Sequence, residues 1–359
     1  MSVAVVLSLD HWNAGLSGFC GGEPLLTPTV DRLAAESAVF DRHFAVEPAG
    51  DRSVNGRAWA GEGWGLGRGD TRAADRFDSA GVDVEILADA AFEWFGLAGW
   101  ESEQAVDDDL RRRVASAIER LAAGTSEHRL LWVAVSAPAE GDEGPWPDHL
   151  EEIDSAMAAW DRVVAAAVDA LDESGLADGT LLVVTGGRGA WLGDRGFEDD
   201  RTAEALHEER LRTPLLLRGP GIEPGQRQLE LVQVIDMLPT LLEWFGAQSA
   251  RDRLAGNSLL DLLQQDGRGG REEIVVRDDA GGWGIRSREL FLVRSGEGLD
   301  ATQSGGPARL YSKPDDAWDL VDVSEQGIDD VERLARRLDE LIDEIDEIDE
   351  INEIDGPLA

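Results

Sequence analysis

Two apolar runs in this chain end in residues that could take part in chemistry. The first, VAVVLSLDHW near the amino terminus, leads into Asp10 and His11. A short apolar run that ends in a carboxylate is typical of a buried parallel strand, which presents a side chain at its carboxyl end. The second, TLLVVTGGRG, ends in a glycine-rich turn that contains Arg188 but no carboxylate. We expect a functional site at these strand ends.

The charge of the chain limits what such a site could bind. There are 73 acidic and 33 basic residues, a net charge of −40, and Lys313 is the only lysine. This field repels nucleic acid and anionic membranes, so we expect neither as a partner. An anionic ester would need a locally positive pocket, which four arginines would provide if they converge into an anion-binding site: Arg52, Arg57, Arg188 and Arg201.

Length and composition predict a globular protein of the cytoplasm. The 359 residues suffice for a large domain with a small appendage, and no apolar run approaches the ~18 residues of a membrane span. The start, MSVAVVLSLDHW, is interpreted as a first strand because it has no basic region or cleavage site of a signal peptide. A single cysteine, Cys20, agrees with a reducing compartment. The acidity has two open interpretations, high internal salt or a general bias that favours solubility.

The segments that would position these residues alternate between strands and helices. The strand predictions are VDVEIL, LLWVAVSA, TLLVVT and TPLLLRGPG. The helix predictions are TPTVDRLAAESAVF, residues 106–123, Leu150 to Ser174 and VIDMLPTLLEWFG. This alternation predicts an α/β fold with a large, mostly parallel sheet sandwiched by helices.

The carboxyl-terminal part has a different pattern. EEIVVRD, WGIRSRELFLVRS and ARLYSK predict short strands of a small antiparallel α+β subdomain. The tail, LIDEIDEIDEINEID, repeats isoleucine every three residues, so no single apolar stripe forms on a helix. It could be a frayed acidic helix, a disordered tail or a partner-binding helix. The predicted units are residues 1–265, 266–337 and 338–359.

Several long segments, in order, resemble one known family. These segments are VAVVLSLDHW with PLLTPTVDRLAAESAVFDRHFA, DSAMAAWDRVVAAAVDALDESGLADGTLLVVTGGRGAWLGDRG, LHEERLRTPLLLRGPGIEPGQRQLELVQVIDMLPTLLEWFG with LAGNSLLDLL, and RLYSKPDDAWDLVDVSEQ. They resemble the sulfatases of the alkaline phosphatase superfamily. The resemblance covers most of the chain and implies the same α/β fold, because a set of ordered matches is far more specific than one motif.

The resemblance also implies a mechanism. Such enzymes hold Ca²⁺ or Mg²⁺ between two adjacent acids after the first strand and an acid with a polar neighbour after a later strand. A formylglycine, made from Cys or Ser, supplies the nucleophile. Lysines and histidines stabilise charge and protonate the leaving group.

Most of the matching positions in this chain carry other residues. Asp10 matches the first acid, but His11 stands in place of the second. The later pair is matched by Gly187 and Arg188, so two oxygen ligands are replaced by a hydrogen and a guanidinium. One hypothesis is that Arg188 occupies the place of the cation and forms a salt bridge to Asp10, because an unpaired buried carboxylate is costly. The alternative is that Arg188 points to solvent.

The nucleophile segment departs from the family pattern as well. The best match is Ser53 with Arg57 four residues later, but Asn55 replaces the Pro or Ala that formylglycine formation requires. We therefore expect no formylglycine, and Ser53 remains a candidate only as an unmodified, phosphatase-like nucleophile. The family's lysine is absent and Arg201 is the nearest basic residue. His207 stands where the family often has tyrosine and is interpreted as a surface or packing histidine.

Two hypotheses on function follow from the resemblance. The first is a non-catalytic pseudo-sulfatase that binds a glycan or a protein partner and needs no cofactor. The second is a divergent hydrolase of sulfuric or phosphoric esters, which would need Ca²⁺ or Mg²⁺ and would use Asp10, His11, Ser53 and Arg57. Fold alone does not decide between them, and the incomplete set of nucleophile, metal ligands and acid favours the first.

Overall fold

The computed structural model describes most of the chain. Within the described ranges, the side chains of residues 103–104, 150–152 and 345–354 are not described. The described ranges are 2–22, 26–47, 73–89, 103–104, 110–136, 150–190, 206–247, 256–264, 270–278, 281–294 and 308–354.

An eight-stranded sheet forms the centre of the molecule. In spatial order its strands are β5 (Glu103–Gln104), β4 (Val82–Ala88), β6 (His128–Val135), β1 (Ser2–His11), β7 (Thr180–Arg188), β8 (Leu215–Arg218), β2 (Ala38–Phe40) and β9 (Arg227–Gln228). The strands from β5 to β7 run parallel, whereas β8 is antiparallel to both of its neighbours. The predicted mostly parallel sheet is confirmed. A separate parallel pair is formed by β3 (His43–Phe44) and β10 (Val232–Gln233).

Helices cover both faces of this sheet, as predicted. In chain order the helices are α1 (Pro28–Ala35), α2 (Ala73–Ser79), α3 (Leu110–Ala123), α4 (Leu150–Glu173), α5 (Glu208–Leu211), α6 (Met237–Trp244), α7 (Leu259–Gln264) and α8 (Ile328–Ile354). Helices α1, α3 and α4 pack on one face and α2, α6 and α7 on the other. None of the helices in the described ranges is long and apolar enough to cross a membrane.

Burial on both faces explains why the central strands are continuous apolar runs in the sequence. In β1, Val5 and Leu7 pack under α3 and α4, while Ala4 and Val6 face the opposite helices. Helix α4 ends one residue before the predicted Ser174, and Gly175 follows with φ of 71°, the left-handed conformation that commonly terminates a helix.

The carboxyl-terminal region is a four-stranded antiparallel sheet covered by α8. Its strands are β11 (Glu273–Arg277), β12 (Trp283–Ser287), β13 (Leu290–Arg294) and β14 (Ala308–Ser312). The segment WGIRSRELFLVRS therefore forms a hairpin of two strands. Leu334 and Leu338 of α8 are fully buried against this sheet. The helix thus passes through residue 338, where the sequence placed the start of a tail, and continues to Ile354.

A buried ionic cluster joins the small sheet to α5. Nζ of Lys313 lies 2.8 Å from Oε2 of Glu208 and 2.5 Å from Oδ1 of Asp319. Arg286 Nε is 3.3 Å from the same oxygen of Glu208. Burial raises the pKa of Asp319, but His207, Lys313 and the Glu208 amide outweigh it and hold that pKa below its usual range. Asp319 stays charged because Lys313 is its cationic partner.

Candidate functional site

The carboxyl ends of β1 and β7 lie side by side. His11 is the strand partner of Arg188, and the Trp12 amide donates to the Arg188 carbonyl at 2.7 Å. The two strand ends that the sequence indicated therefore meet at one edge of the sheet, where ligands of open parallel sheets commonly bind.

An ion pair occupies this edge. Nη2 of Arg188 lies 3.2 Å from Oδ2 of Asp10, and the side chains are 17% and 31% exposed. The predicted salt bridge is present, and the alternative that Arg188 points to solvent is wrong.

Gly187 faces the same carboxylate but offers no ligand. A Cβ at this position would lie 3.0 Å from the Asp10 carbonyl oxygen and 3.6 Å from its Oδ1, so an acid here would adjoin Asp10. A hard divalent cation needs six or more oxygen ligands. Here one carboxylate is paired with a guanidinium and the facing position has no side chain. Within the described ranges, no three His, Cys, Asp or Glu side chains group to hold a metal. The described residues do not fit the family's cation.

The turn after β7 packs closely against the backbone of α5. The Gly189 amide donates to the Arg210 carbonyl at 2.9 Å, and a Cβ at Gly189 would lie 2.2 Å from the Glu209 carbonyl oxygen. Only glycine fits this close approach. Asn13, after β1, donates from Nδ2 to the Ala190 carbonyl at 2.6 Å. The loop after β1, the turn after β7 and α5 are therefore in direct contact, and we call them the rim.

A cavity of about 320 Å³ opens beside this rim, and we call it the Trp318 cavity. Its polar lining comes from Glu208, Glu209 and Arg212, and the ring of Trp318 forms an apolar wall. Cys20 also lines it, and burial raises the pKa of this thiol to about 12, so it stays protonated and unreactive. A guanidinium beside an aromatic ring suits a ligand with hydroxyl groups and a ring face.

A second polar pair lies where β4 and β6 end. The amide and the hydroxyl of Ser136 donate to the two carboxylate oxygens of Asp89, at 2.7 and 3.0 Å. Burial raises the pKa of Asp89 despite these hydrogen bonds. Ser136 directly follows β6, and residues 137–149, which come next in the chain, lie outside the described residues.

The structure brings together three of the seven residues that the sequence singled out. Asp10, His11 and Arg188 share the edge, whereas the others lie outside the described ranges and stay untested predictions: Arg52, Ser53, Arg57 and Arg201. His207 is buried against Tyr311 and near Asp319, so it packs and is not a surface residue. Sequence reasoning missed a role for Trp318 and Asp89. Trp318 lies in a segment that resembles the family, but the resemblance assigns it no ligand contact, and both residues take their positions from long-range packing.

Part of the chain is similar in sequence to known sulfatases. The family model described as Sulfatase matches residues 93–247, which include β7 and its turn. Human N-acetylglucosamine-6-sulfatase is 34% identical over 148 residues, which are 41% of this chain and 24% of the human protein. The matched stretch is thus about a quarter of that relative's length.

Solved structures match over nearly the whole chain. A sulfatase of glycosaminoglycan metabolism from Bacteroides thetaiotaomicron has a TM-score of 0.76 at 16% identity, covering 96% of both chains. A second protein, solved with its substrate D-glucosamine-2-N,6-O-disulfate, has a TM-score of 0.69 at 16% identity and covers 96% of this chain and 98% of its own.

The α/β fold with these strand ends is the fold of solved sulfatase structures. The chain is sulfatase-like, in sequence over the central segment and in fold over almost its full length, and the proteins that it resembles include an N-acetylglucosamine-6-sulfatase and a sulfatase of glycosaminoglycan metabolism.

Proposed function

We propose that this chain is a non-catalytic, sulfatase-like protein that binds a glycan at the carboxyl edge of its sheet. The observation that carries the proposal is the 3.2 Å ion pair between Arg188 and Asp10. The guanidinium neutralises the carboxylate that would otherwise bind a cation. Without an acid at position 187, the described residues of this edge lack the charge density that holds a divalent ion and activates an ester.

The Trp318 cavity supports the binding part of the proposal. Trp318 is 37% exposed and borders a cavity that Asn13 and Arg212 also line. Sugar rings stack on such aromatic faces while their hydroxyls bond to charged side chains. Relatives of this chain act on sulfated sugars, as their names state. Lys313 and Arg286 are already paired with Glu208, so their charges are not available to a sulfate group. An unsulfated sugar therefore suits this strongly acidic protein best.

Catalysis is tested on purified protein in high salt. Metal content is measured together with hydrolysis of an aryl sulfate and an aryl phosphate, beside an Asp10→Ala control. We expect no stoichiometric Ca²⁺ or Mg²⁺ and no turnover above that control. Bound metal with turnover that Asp10→Ala abolishes would refute the proposal and favour the divergent hydrolase with Ser53.

Binding is tested separately by calorimetry with N-acetylglucosamine oligosaccharides and with D-glucosamine-2-N,6-O-disulfate. We expect the neutral sugar to bind, and Trp318→Ala to weaken binding about tenfold, since loss of an aromatic contact of ~1.4 kcal/mol is a factor of ten. Leu320→Ala is the matched control, because Leu320 is an exposed apolar residue near Trp318 in sequence that does not line the cavity. Equal binding by both variants would refute this site.

A further inference from the structure

A second cavity lies where β1, β4 and β6 end, beside helices α3 and α4. It has a volume of about 270 Å³. Within the part of the chain that the structure describes, no residue lines both this cavity and the Trp318 cavity. Its occupant is therefore a separate question from the proposed glycan site.

The lining of this cavity changes from buried apolar residues to exposed charged ones. Its interior is formed by core side chains, among them Leu9, Ile153 and Met157. Arg111 of α3 and Arg162 of α4 also line it, and both are exposed. The cavity therefore opens to solvent beside the two arginines, and we call this opening the mouth.

The two arginines of the mouth are available to a ligand. Within the described ranges, neither side chain forms an ion pair or a hydrogen bond. By contrast, Arg120 of the same helix α3 is also exposed and pairs with Glu85. Because the protein has 73 acidic residues, arginines without a carboxylate partner leave positive charge at this position.

The other polar groups of the described lining do not cancel this charge. Asp89 is the one carboxylate among them, and both of its oxygens already accept hydrogen bonds from Ser136. His11 adds no negative charge. The net charge of −40 opposes an anion, but salt at physiological concentration screens exposed charges beyond ~8 Å. The mouth therefore suits a group with a single negative charge.

The interior and the guanidinium groups define the rest of the ligand. An apolar cavity of only ~150 Å³ binds benzene, a molecule of six carbons, so about 270 Å³ accommodates a longer apolar body. Met157 is unbranched and adapts to an irregular occupant. A carboxylate matches a guanidinium closely, because its two oxygens can accept two parallel hydrogen bonds from the planar group.

We propose that this cavity binds an amphiphilic monoanion, a medium-chain aliphatic carboxylate. The chain lies in the apolar interior, and the carboxylate accepts hydrogen bonds from Arg111 and Arg162 at the mouth. This inference does not depend on the proposed glycan function, because it uses none of the lining of the Trp318 cavity.

The probe is octanoate, and binding is measured by calorimetry in 0.15 M salt. Butanoate has the same head group with a shorter chain, and 1-octanol has the same chain length without a charge. We expect one saturable site for octanoate. Butanoate should bind about tenfold more weakly or worse, because four fewer methylenes are buried, and 1-octanol about fivefold more weakly or worse, because it lacks the charge-assisted hydrogen bonds.

A pair of double variants tests the arginines. Arg111→Gln with Arg162→Gln should weaken octanoate by about tenfold or more and leave 1-octanol unchanged. Arg112→Gln with Arg120→Gln is the matched control, since it removes the same charge from exposed positions of α3 outside the lining, and it should bind octanoate as the parent does. Equal weakening by the two double variants, or equal affinity of the parent for octanoate and 1-octanol, would refute the role of the arginines.

A pair of single variants tests the interior. Ala156→Leu places a larger side chain in the lining and should weaken octanoate by about tenfold or more. Ala158→Leu is its control, because this residue lies on the same helix with similar partial burial outside the lining. Absence of saturable octanoate binding, equal binding by the two leucine variants, or equal affinity for octanoate and butanoate would overturn the proposal.

Discussion

The ion pair at the carboxyl edge can be measured by a double-mutant cycle. The variants are Arg188→Met, Asp10→Asn and the two combined, which remove each charge while keeping side chains of similar size. If Arg188 neutralises Asp10, each single change leaves the other charge without its partner, and the double variant recovers part of the loss.

The distance and burial of the pair set the expected coupling. At 3.2 Å, two unit charges attract by about 1 kcal/mol in water and about 5 kcal/mol at an effective dielectric constant of 20. Side chains that are 17% and 31% exposed lie between these limits, and desolvation offsets part of the attraction. We expect a net coupling of about 1–2 kcal/mol.

The assay is urea unfolding in 0.15 M salt, with a second ion pair as the control. Arg218 and Glu36 are also separated by 3.2 Å, but Glu36 is 57% exposed. A cycle with Arg218→Met and Glu36→Gln should give less than about 0.5 kcal/mol, since exposed pairs contribute little. If the Arg188–Asp10 coupling is no larger than this control, the guanidinium does not replace a cation at this edge.

Three further outcomes follow from the structure. The double variant Gly187→Asp with Arg188→Asn should gain stabilisation by Ca²⁺ in thermal unfolding, about 2.7 kcal/mol at 100 times the dissociation constant; equal responses of variant and parent would contradict our account of position 187. Lys313→Met should lower the free energy of unfolding by about 3–5 kcal/mol, because buried Asp319 loses its lysine and Glu208 keeps only Arg286. The exposed Arg288→Met should cost less than about 1 kcal/mol, and similar losses in the two variants would argue against the buried cluster. Burial lowers the pKa of His43 to about 4, so as pH falls His43 takes up a proton in the unfolded chain before it does so in the folded protein. The free energy of unfolding is therefore highest above about pH 6.5 and decreases toward pH 4, by up to about 1.4 kcal/mol per pH unit. Urea unfolding of His43→Asn between pH 7.5 and 5.5 should show a shallower slope, and an unchanged slope would exclude His43 as the cause.

The sequence was sufficient to predict the central sheet and the ion pair at its carboxyl edge. Strands buried on both faces appear as apolar runs, so β1, β6 and β7 could be located from composition alone. Parallel strands present their carboxyl ends at one edge, which is why Asp10 and Arg188 could be paired across 178 positions.

Other parts could not be predicted because long-range packing decides them. Trp318 joins a cavity only because the small sheet places its loop beside α5, and no local pattern records that contact. The turn between β12 and β13 has no glycine or proline, so the hairpin resembled one strand. Helix α8 continues beyond residue 338 because Leu338 packs on the small sheet, a contact that the isoleucine spacing does not reveal.

The burial of Lys313 gives this protein an unusual chemical property. It is the only lysine, and none of its side chain is accessible in the folded state. The folded surface therefore presents no lysine amine to acylating reagents, cross-linkers or modifying enzymes. Acylation of Lys313 would report directly on separation of the small sheet from α5, so the rate of a simple labelling reaction would measure how often this junction opens.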